Sequence, residues 1–218
     1  MAIGLPQSGL RSVTPQNLIL DAGIIYKNIN ETFLRNGLAT AYTLAIDPTS
    51  VWVDPNGVSV YPQKLGATRG GTMVNVGVTA RQVEFDSRRT NVKGFERVDM
   101  IEPSLETMLL EFGDVITAET ALGSTTVHSW VTYQEISPSL VVASADYLGN
   151  IAIIAPVTGS LLPIVIVLRN ARVETPGSFD LKDKTELAFK TVFKGSSLPA
   201  AQYVIPISYY VPSVTSAS

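Results

Sequence analysis

The stretch Leu65–Thr72, LGATRGGT, carries the glycine spacing of a phosphate-binding loop. Gly66 and Gly71 bracket four residues, as in G-x-x-x-x-G-K-[ST], but Thr72 stands where the lysine belongs. That lysine has to reach the β- and γ-phosphates, and the loop has to open a helix whose N-terminal N–H groups hold them. Here the residues after Thr72 alternate like a strand, and Arg69 is the lone cation of the loop. The glycines therefore read as a turn that needs positive φ, not as a nucleotide site.

His128 is the only histidine, and cysteine is absent. A metal site would have no second imidazole and no thiolate. A Ser-His-Asp arrangement would have no G-x-S-x-G frame around its nucleophile. Acidic pairs such as Asp180/Asp183 and Glu102/Glu106 occur. Glycosidase chemistry needs two carboxylates converging on one cleft, and no spacing here singles out such a pair. No catalytic residue, metal ligand or cofactor is assigned, and the chain is read as a non-enzyme.

Basic residues gather from Arg81 through Arg88, Arg89 and Lys93 to Arg97. Glu84, Asp86, Glu96, Asp99 and Glu102 lie among them. Five cations against five anions make a mixed surface, not a track for phosphates. Such a surface suits specific subunit contacts or simple surface decoration, and the residues alone leave both open.

The chain that must position these groups has 218 residues, 45% hydrophobic and only 16% charged. Soluble domains usually carry ~25% charged residues. So little charge implies surface hidden in a large core or against partners. The net charge of −3 gives no general drive toward nucleic acid or anionic membranes. The first residues, MAIGLPQSGLRS, show no signal-peptide pattern. Residues Ile151–Leu168 form an uncharged run of membrane-spanning length. Pro156, Pro163 and the Thr158-Gly159-Ser160 break instead predict two buried strands joined by a turn, without membrane insertion.

Residues 1–15 read as an aperiodic arm, and Asn17–Ile29 as one or two strands with a bend at Asp21–Gly23. Val51–Tyr61 is a hairpin signal, VWV-DPNG-VSVY, with Pro55 and Gly57 suited to the turn. Its aromatics, Trp52 and Tyr61, belong either to the core or to a neighbouring subunit's surface. Thr72–Asp86 predicts a long half-buried strand with Val74, Val76, Val78 and Ala80 facing inward, then a bulge near Arg81-Gln82. Gly94–Phe112 gives another extended segment or pair, with Pro103 arguing against a central strand. The one short helix lies in ITAETALGSTT, with Thr117 as N-cap, Thr120 at N3 and Gly123 ending it. In Thr185–Gly195, Leu187, Phe189, Thr191 and Phe193 share a face. QYVIPISYYV is the last strand, and 211–218 is a polar tail. Many strands, one helix and no βαβ rhythm predict a single mostly β domain over 1–218, an antiparallel β-sandwich or half-barrel with one short flanking helix.

Three stretches in this order carry a resemblance: NLILDAGIIYKNI, then LGATRGGTMVNVGVTARQVEFD, then VKGFERVDMIEPSLETMLLEF. Together they look like the major tail protein, or tail tube protein, of long-tailed bacteriophages. DYLGNIAIIAP, LPIVIVLRNA and TELAFKTVF are similar to that family's second half, so the likeness spans most of 14–210. Leu122–Ala143 follows it least. The resemblance implies hexameric rings that stack into a tube through which viral DNA passes to the host. The implied partners are further copies of the chain, a tape measure protein, a tail terminator and a distal tail protein. The implied place is the virion, after assembly in the host cytoplasm. Contacts between subunits or rings are then expected at Trp52, Asp54, Pro55 and Tyr61 of the hairpin, and at Arg69, Arg81, Arg88, Arg89 and Lys93. Two other readings stay open: an accessory ring-forming tail protein such as a terminator, and a β-barrel binder of small ligands, which would need an apolar pocket.

Overall fold

The structure is a computed structural model, which describes residues 23–29, 31, 52–53, 59–60, 63–83, 93–110, 115–123, 125–139, 141–142, 146–157, 163–175, 188–201 and 204–212. The first six strands are β1 (Ile24–Lys27), β2 (Trp52–Val53), β3 (Ser59–Val60), β4 (Gln63–Lys64), β5 (Thr68–Gln82) and β6 (Glu96–Leu109). Helix α1 (Val115–Leu122) follows. Then come β7 (Thr125–Ser129), β8 (Gln134–Pro138), β9 (Leu148–Ala155), β10 (Ile164–Thr175), β11 (Phe189–Lys194) and β12 (Ile207–Tyr210). The main sheet runs β4-β1-β9-β10-β11-β6-β5, with β12 added on β10. Every pairing in it is antiparallel. β2–β3 and β7–β8 form two separate ribbons. The predicted mostly β, antiparallel architecture with a short helix is what the structure shows.

β10 organises the fold. Its first half pairs with β9 and β12, and Arg172–Thr175 pairs with β11. Asn170 sits between the halves at φ 43°, a conformation asparagine tolerates better than most residues. Its side-chain Nδ2 donates to the Ser196 carbonyl at 3.1 Å. At neighbouring Arg169, the N–H bonds to the Pro206 carbonyl and the C=O accepts from the Ser196 N–H. The chain leaving β11 and the chain entering β12 therefore meet on one edge of β10.

Ile25, Ile151, Ile153 and Leu168 pack with Leu105, Leu109, Phe189 and Phe193 in one core cluster. Tyr26, Ile29, Ala152, Ile154, Val165 and Val167 form a second cluster from the alternate residues of the same strands. β1, β9 and the first half of β10 are thus buried on both faces. This is why IAIIA and IVIVL read as unbroken apolar runs, and the two-strand prediction for Ile151–Leu168 holds. β11 is buried on one face only, and its Phe189, Thr191 and Phe193 point inward as their spacing predicts.

Several local expectations change. Thr117 does not cap the helix, because α1 starts at Val115 and contains it. Gly123 does end α1, at φ 86°. In LGATRGGT, Gly66 makes the turn at φ 80°, but Gly70 and Gly71, at 74° and 82°, form a bulge inside β5. The later bulge falls between Thr79 and Ala80, where β6 inserts Asp99, and not at Arg81-Gln82. Pro103 lies inside β6, a strand with neighbours on both sides. It is tolerated because β11 ends at Lys194, opposite Ser104. The Pro103 carbonyl still accepts from the Gly195 N–H at 3.0 Å, so its missing N–H points to the side where the partner strand has stopped.

Candidate assembly surfaces

Where β11 ends, the outer part of β5 and β6 continues as a two-stranded ribbon among the described residues. From Pro103 down to Glu96, β6 is paired with β5 alone among the described residues. The Val83 N–H donates to the Phe95 carbonyl at 2.8 Å beyond the last rung. On one face Val74, Val76 and Val78 stand opposite Leu105, Pro103 and Ile101. Val74 packs against the core, but Val76 is 40% exposed and Val78 56%. Val98 and Met100, across from Ala80 and Thr79, are 57% and 52% exposed. The predicted inward stripe is therefore inward only at its base. A two-stranded ribbon in water is marginal on its own. One that is apolar invites a partner.

The ribbon's ion pairs do little to hold it. Arg81 Nε meets Asp99 Oδ1 at 2.9 Å, with both side chains well exposed. Such pairs are worth ~0–1 kcal/mol. Nearer the body the charges interlock across strands. Lys194 Nζ contacts Glu102 at 2.6 Å and Glu174 at 3.4 Å, and Lys190 contacts Glu106 at 2.6 Å. The hydrogen bond to Glu102 raises the Lys194 pKa above its ordinary value, and loss of hydration opposes it. Glu102 and Glu106 are thus each held by a lysine and do not converge on a cleft.

A second exposed apolar surface surrounds β12. Leu198, Val204, Ile205, Tyr209 and Val211 are all exposed. No charged residue occurs from Gly195 to the last residue, Ser218. Among the described residues β12 pairs with β10. A third surface is the tip of β7–β8. There the Trp130 N–H donates to the Tyr133 carbonyl at 2.8 Å, and Trp130 Nε1 donates to Glu135 Oε2 at 3.0 Å. Trp130, Val131 and Tyr133 project from this fixed turn.

The residues singled out in the sequence fall into three groups. Arg69 and Arg81 lie exposed on β5, and Lys93 lies in the turn before β6. Trp52 is on β2, opposite Val60 of β3, which agrees with the predicted hairpin. Asp54, Pro55, Tyr61, Arg88 and Arg89 lie outside the described residues, as do Asp180 and Asp183. His128 is exposed on β7, opposite Glu135. Among the described residues no group of three His, Asp or Glu side chains could hold a metal ion. No helix among them is long and apolar enough to cross a membrane. A cleft of about 240 Å³ lies between Lys27, Thr120, Thr125, Asp146 and Leu148, with a mostly polar lining. It does not match the apolar cavity that a lipocalin-like binder needs. The ribbon's valines, the β12 rim and the Trp130 tip were missed. The signal available for the rim was the 24-residue absence of charge.

No family model matches the chain. No curated protein matches it either. Among solved structures, it is similar to a chain of the virion of a native gene transfer agent particle, with a TM-score of 0.37 at 10% identity. That alignment covers 69% of this chain and 89% of the other.

Proposed function

We propose that this chain is a structural protein of a virion, a tail tube subunit whose copies close into rings and stack around a DNA passage. The reading rests on the sequence resemblance. The observation that carries it physically is the β5–β6 ribbon, which extends past its last supporting strand with apolar side chains exposed. A monomer gains nothing from such an arm, whereas a subunit that inserts it in a neighbour buries the valines. The low charge of the chain points the same way, and Lys190 and Lys194 are each paired with a glutamate.

Negative-stain microscopy and light scattering of concentrated protein test this. Rings with a central hole that stack into tubes are expected. Rings that never stack would favour the terminator reading, and a strict monomer at high concentration would sink the assembly reading altogether.

A further inference from the structure

The last strand of the sheet has few apolar holds. In β9 six of eight residues are buried, whereas in β12 only Ile207 of four is. Tyr210 packs half-buried against the second core cluster, while Ile205, Tyr209 and Val211 are exposed. With so little apolar surface withdrawn, polar ties carry more of the weight. Several of them converge on Arg169, just past the Val165–Leu168 stretch of β10 that pairs with β12. Its N–H donates to the Pro206 carbonyl, and its guanidinium donates to the Ile205 carbonyl and the Ser208 hydroxyl. The same guanidinium donates to both carboxylate oxygens of Glu31, which also accepts from the Tyr210 O–H. β10 does not need β12 to stay in the sheet, because β9 pairs with it along Ile164–Ala171.

We infer that residues 204–212 form a strap that seats and lifts as a unit, with the Arg169–Glu31 pair as its catch, so that residue 31 and β12 are coupled across 179 positions of chain. Lifting the strap gives up the rungs on Val165–Leu168 and the burial of Ile207, but leaves the β9–β10 ladder whole. It also takes the Tyr210 and Ser208 hydroxyls away from the ion pair. In the other direction, moving Glu31 strips Arg169 of that counter-charge and Tyr210 of that acceptor, and so loosens the strap. A contact that holds residue 31 in place therefore favours the seated strap, and a contact that holds the strap favours residue 31 by the same factor. Strap and body would open only together if β12 were buried as β9 is. The coupling is internal to one subunit and is independent of self-assembly.

Hydrogen exchange of the full chain tests this, read by mass spectrometry on peptides covering β9, β12 and residues 28–31 and corrected for intrinsic rates. In the wild type, β12 should be less protected than β9 by on the order of tenfold or more, through local opening. Glu31→Gln should speed exchange in β12 by about another tenfold and leave β9 within about twofold of the wild type. Tyr210→Phe keeps the ring and removes the O–H that reaches Glu31. It should speed exchange at residues 28–31 as well as in β12, and it keeps the test intact should Glu31→Gln fail to fold. Wild-type β12 exchanging in step with β9, or an acceleration spread evenly over all three peptides, overturns the strap. A Tyr210→Phe variant that loosens β12 and leaves residues 28–31 unchanged overturns the coupling.

Discussion

Arg169 holds Glu31 in a two-pronged grip, Nε to Oε1 at 2.6 Å and Nη2 to Oε2 at 2.7 Å. The same guanidinium donates to the Ile205 carbonyl and the Ser208 hydroxyl, and Tyr210 donates its O–H to Glu31. One ion pair thus ties residue 31 to β10 and to β12, a strand of only four residues. Both side chains are largely withdrawn from solvent, at 19% and 14% exposure. The bond to Glu31 raises the Arg169 pKa, with partial loss of hydration opposing it. For a base with a raised pKa, the stabilisation is complete below the ordinary guanidinium range and is lost only above it. The Arg169 proton therefore adds no pH dependence near neutrality.

Glu31→Gln leaves the guanidinium partly buried without its counter-charge. Removing one partner of a buried pair costs ~3–5 kcal/mol, and partial exposure here places the loss at or below the lower end, about 2–3 kcal/mol. Chemical denaturation measures it. A loss below about 0.5 kcal/mol would mean that the pair is solvated after all.

Lys194 gives a titration test. Its pKa is raised first by the hydrogen bond to Glu102, so the folded protein keeps that proton to higher pH than the unfolded chain. The contribution to stability is full below the ordinary lysine value and fades as pH rises through the raised one. In Glu102→Gln the Lys194 ammonium should titrate at lower pH than in the wild type, by NMR of labelled lysine. An unchanged titration would show that Glu174 alone sets the shift.

Gly195 is a packing test. A methyl group added there would stand 2.6 Å from Leu168 Cδ1 and 3.1 Å from the Pro206 carbonyl oxygen. The site is buried where β11 hands over to β12, and the Gly195 N–H is committed to Pro103. Gly195→Ala should cost ~1–3 kcal/mol by overpacking. Gly70→Ala meets nothing within 4 Å and carries only the strain of its φ of 74°, about 1–2 kcal/mol. A thermal melt of the two variants compares crowding with backbone strain.

How much of this was legible in the sequence depended on whether a signal is local. Phe189, Thr191 and Phe193 were assigned to one buried face because a period of two is written in the chain itself. The same reasoning placed Val76 and Val78 inward and failed. Their burial depends on a supporting strand 110 or more residues further along the chain, and that strand stops at Lys194. Pro103 misled for the same reason, since its lost N–H matters only if a partner lies opposite. Asn170 carried no warning either, because its left-handed φ is imposed by the divergence of β11 and β12 around Arg169.

The clearest contrast lies along one face of β5. Val74 and Val78 are both valines, two rungs apart in the alternation, and both were expected to point inward. Val74 packs on Leu105 and the core around it, whereas Val78 is 56% exposed opposite Ile101. Val74→Asp drives a carboxylate toward an apolar core and should cost several kcal/mol or prevent folding. Val78→Asp falls at a position more than half exposed in the isolated subunit, where surface changes stay within about 0.5 kcal/mol. In an assembly that covers the ribbon, the same change removes ~1.5–3 kcal/mol of burial per contact and adds a desolvated charge. Repeated at every subunit, that is enough to abolish growth. Val78→Asp should therefore melt like the wild type and fail to form rings or tubes. Normal assembly of Val78→Asp would show that the outer ribbon faces solvent even between subunits, and the arm would need another explanation.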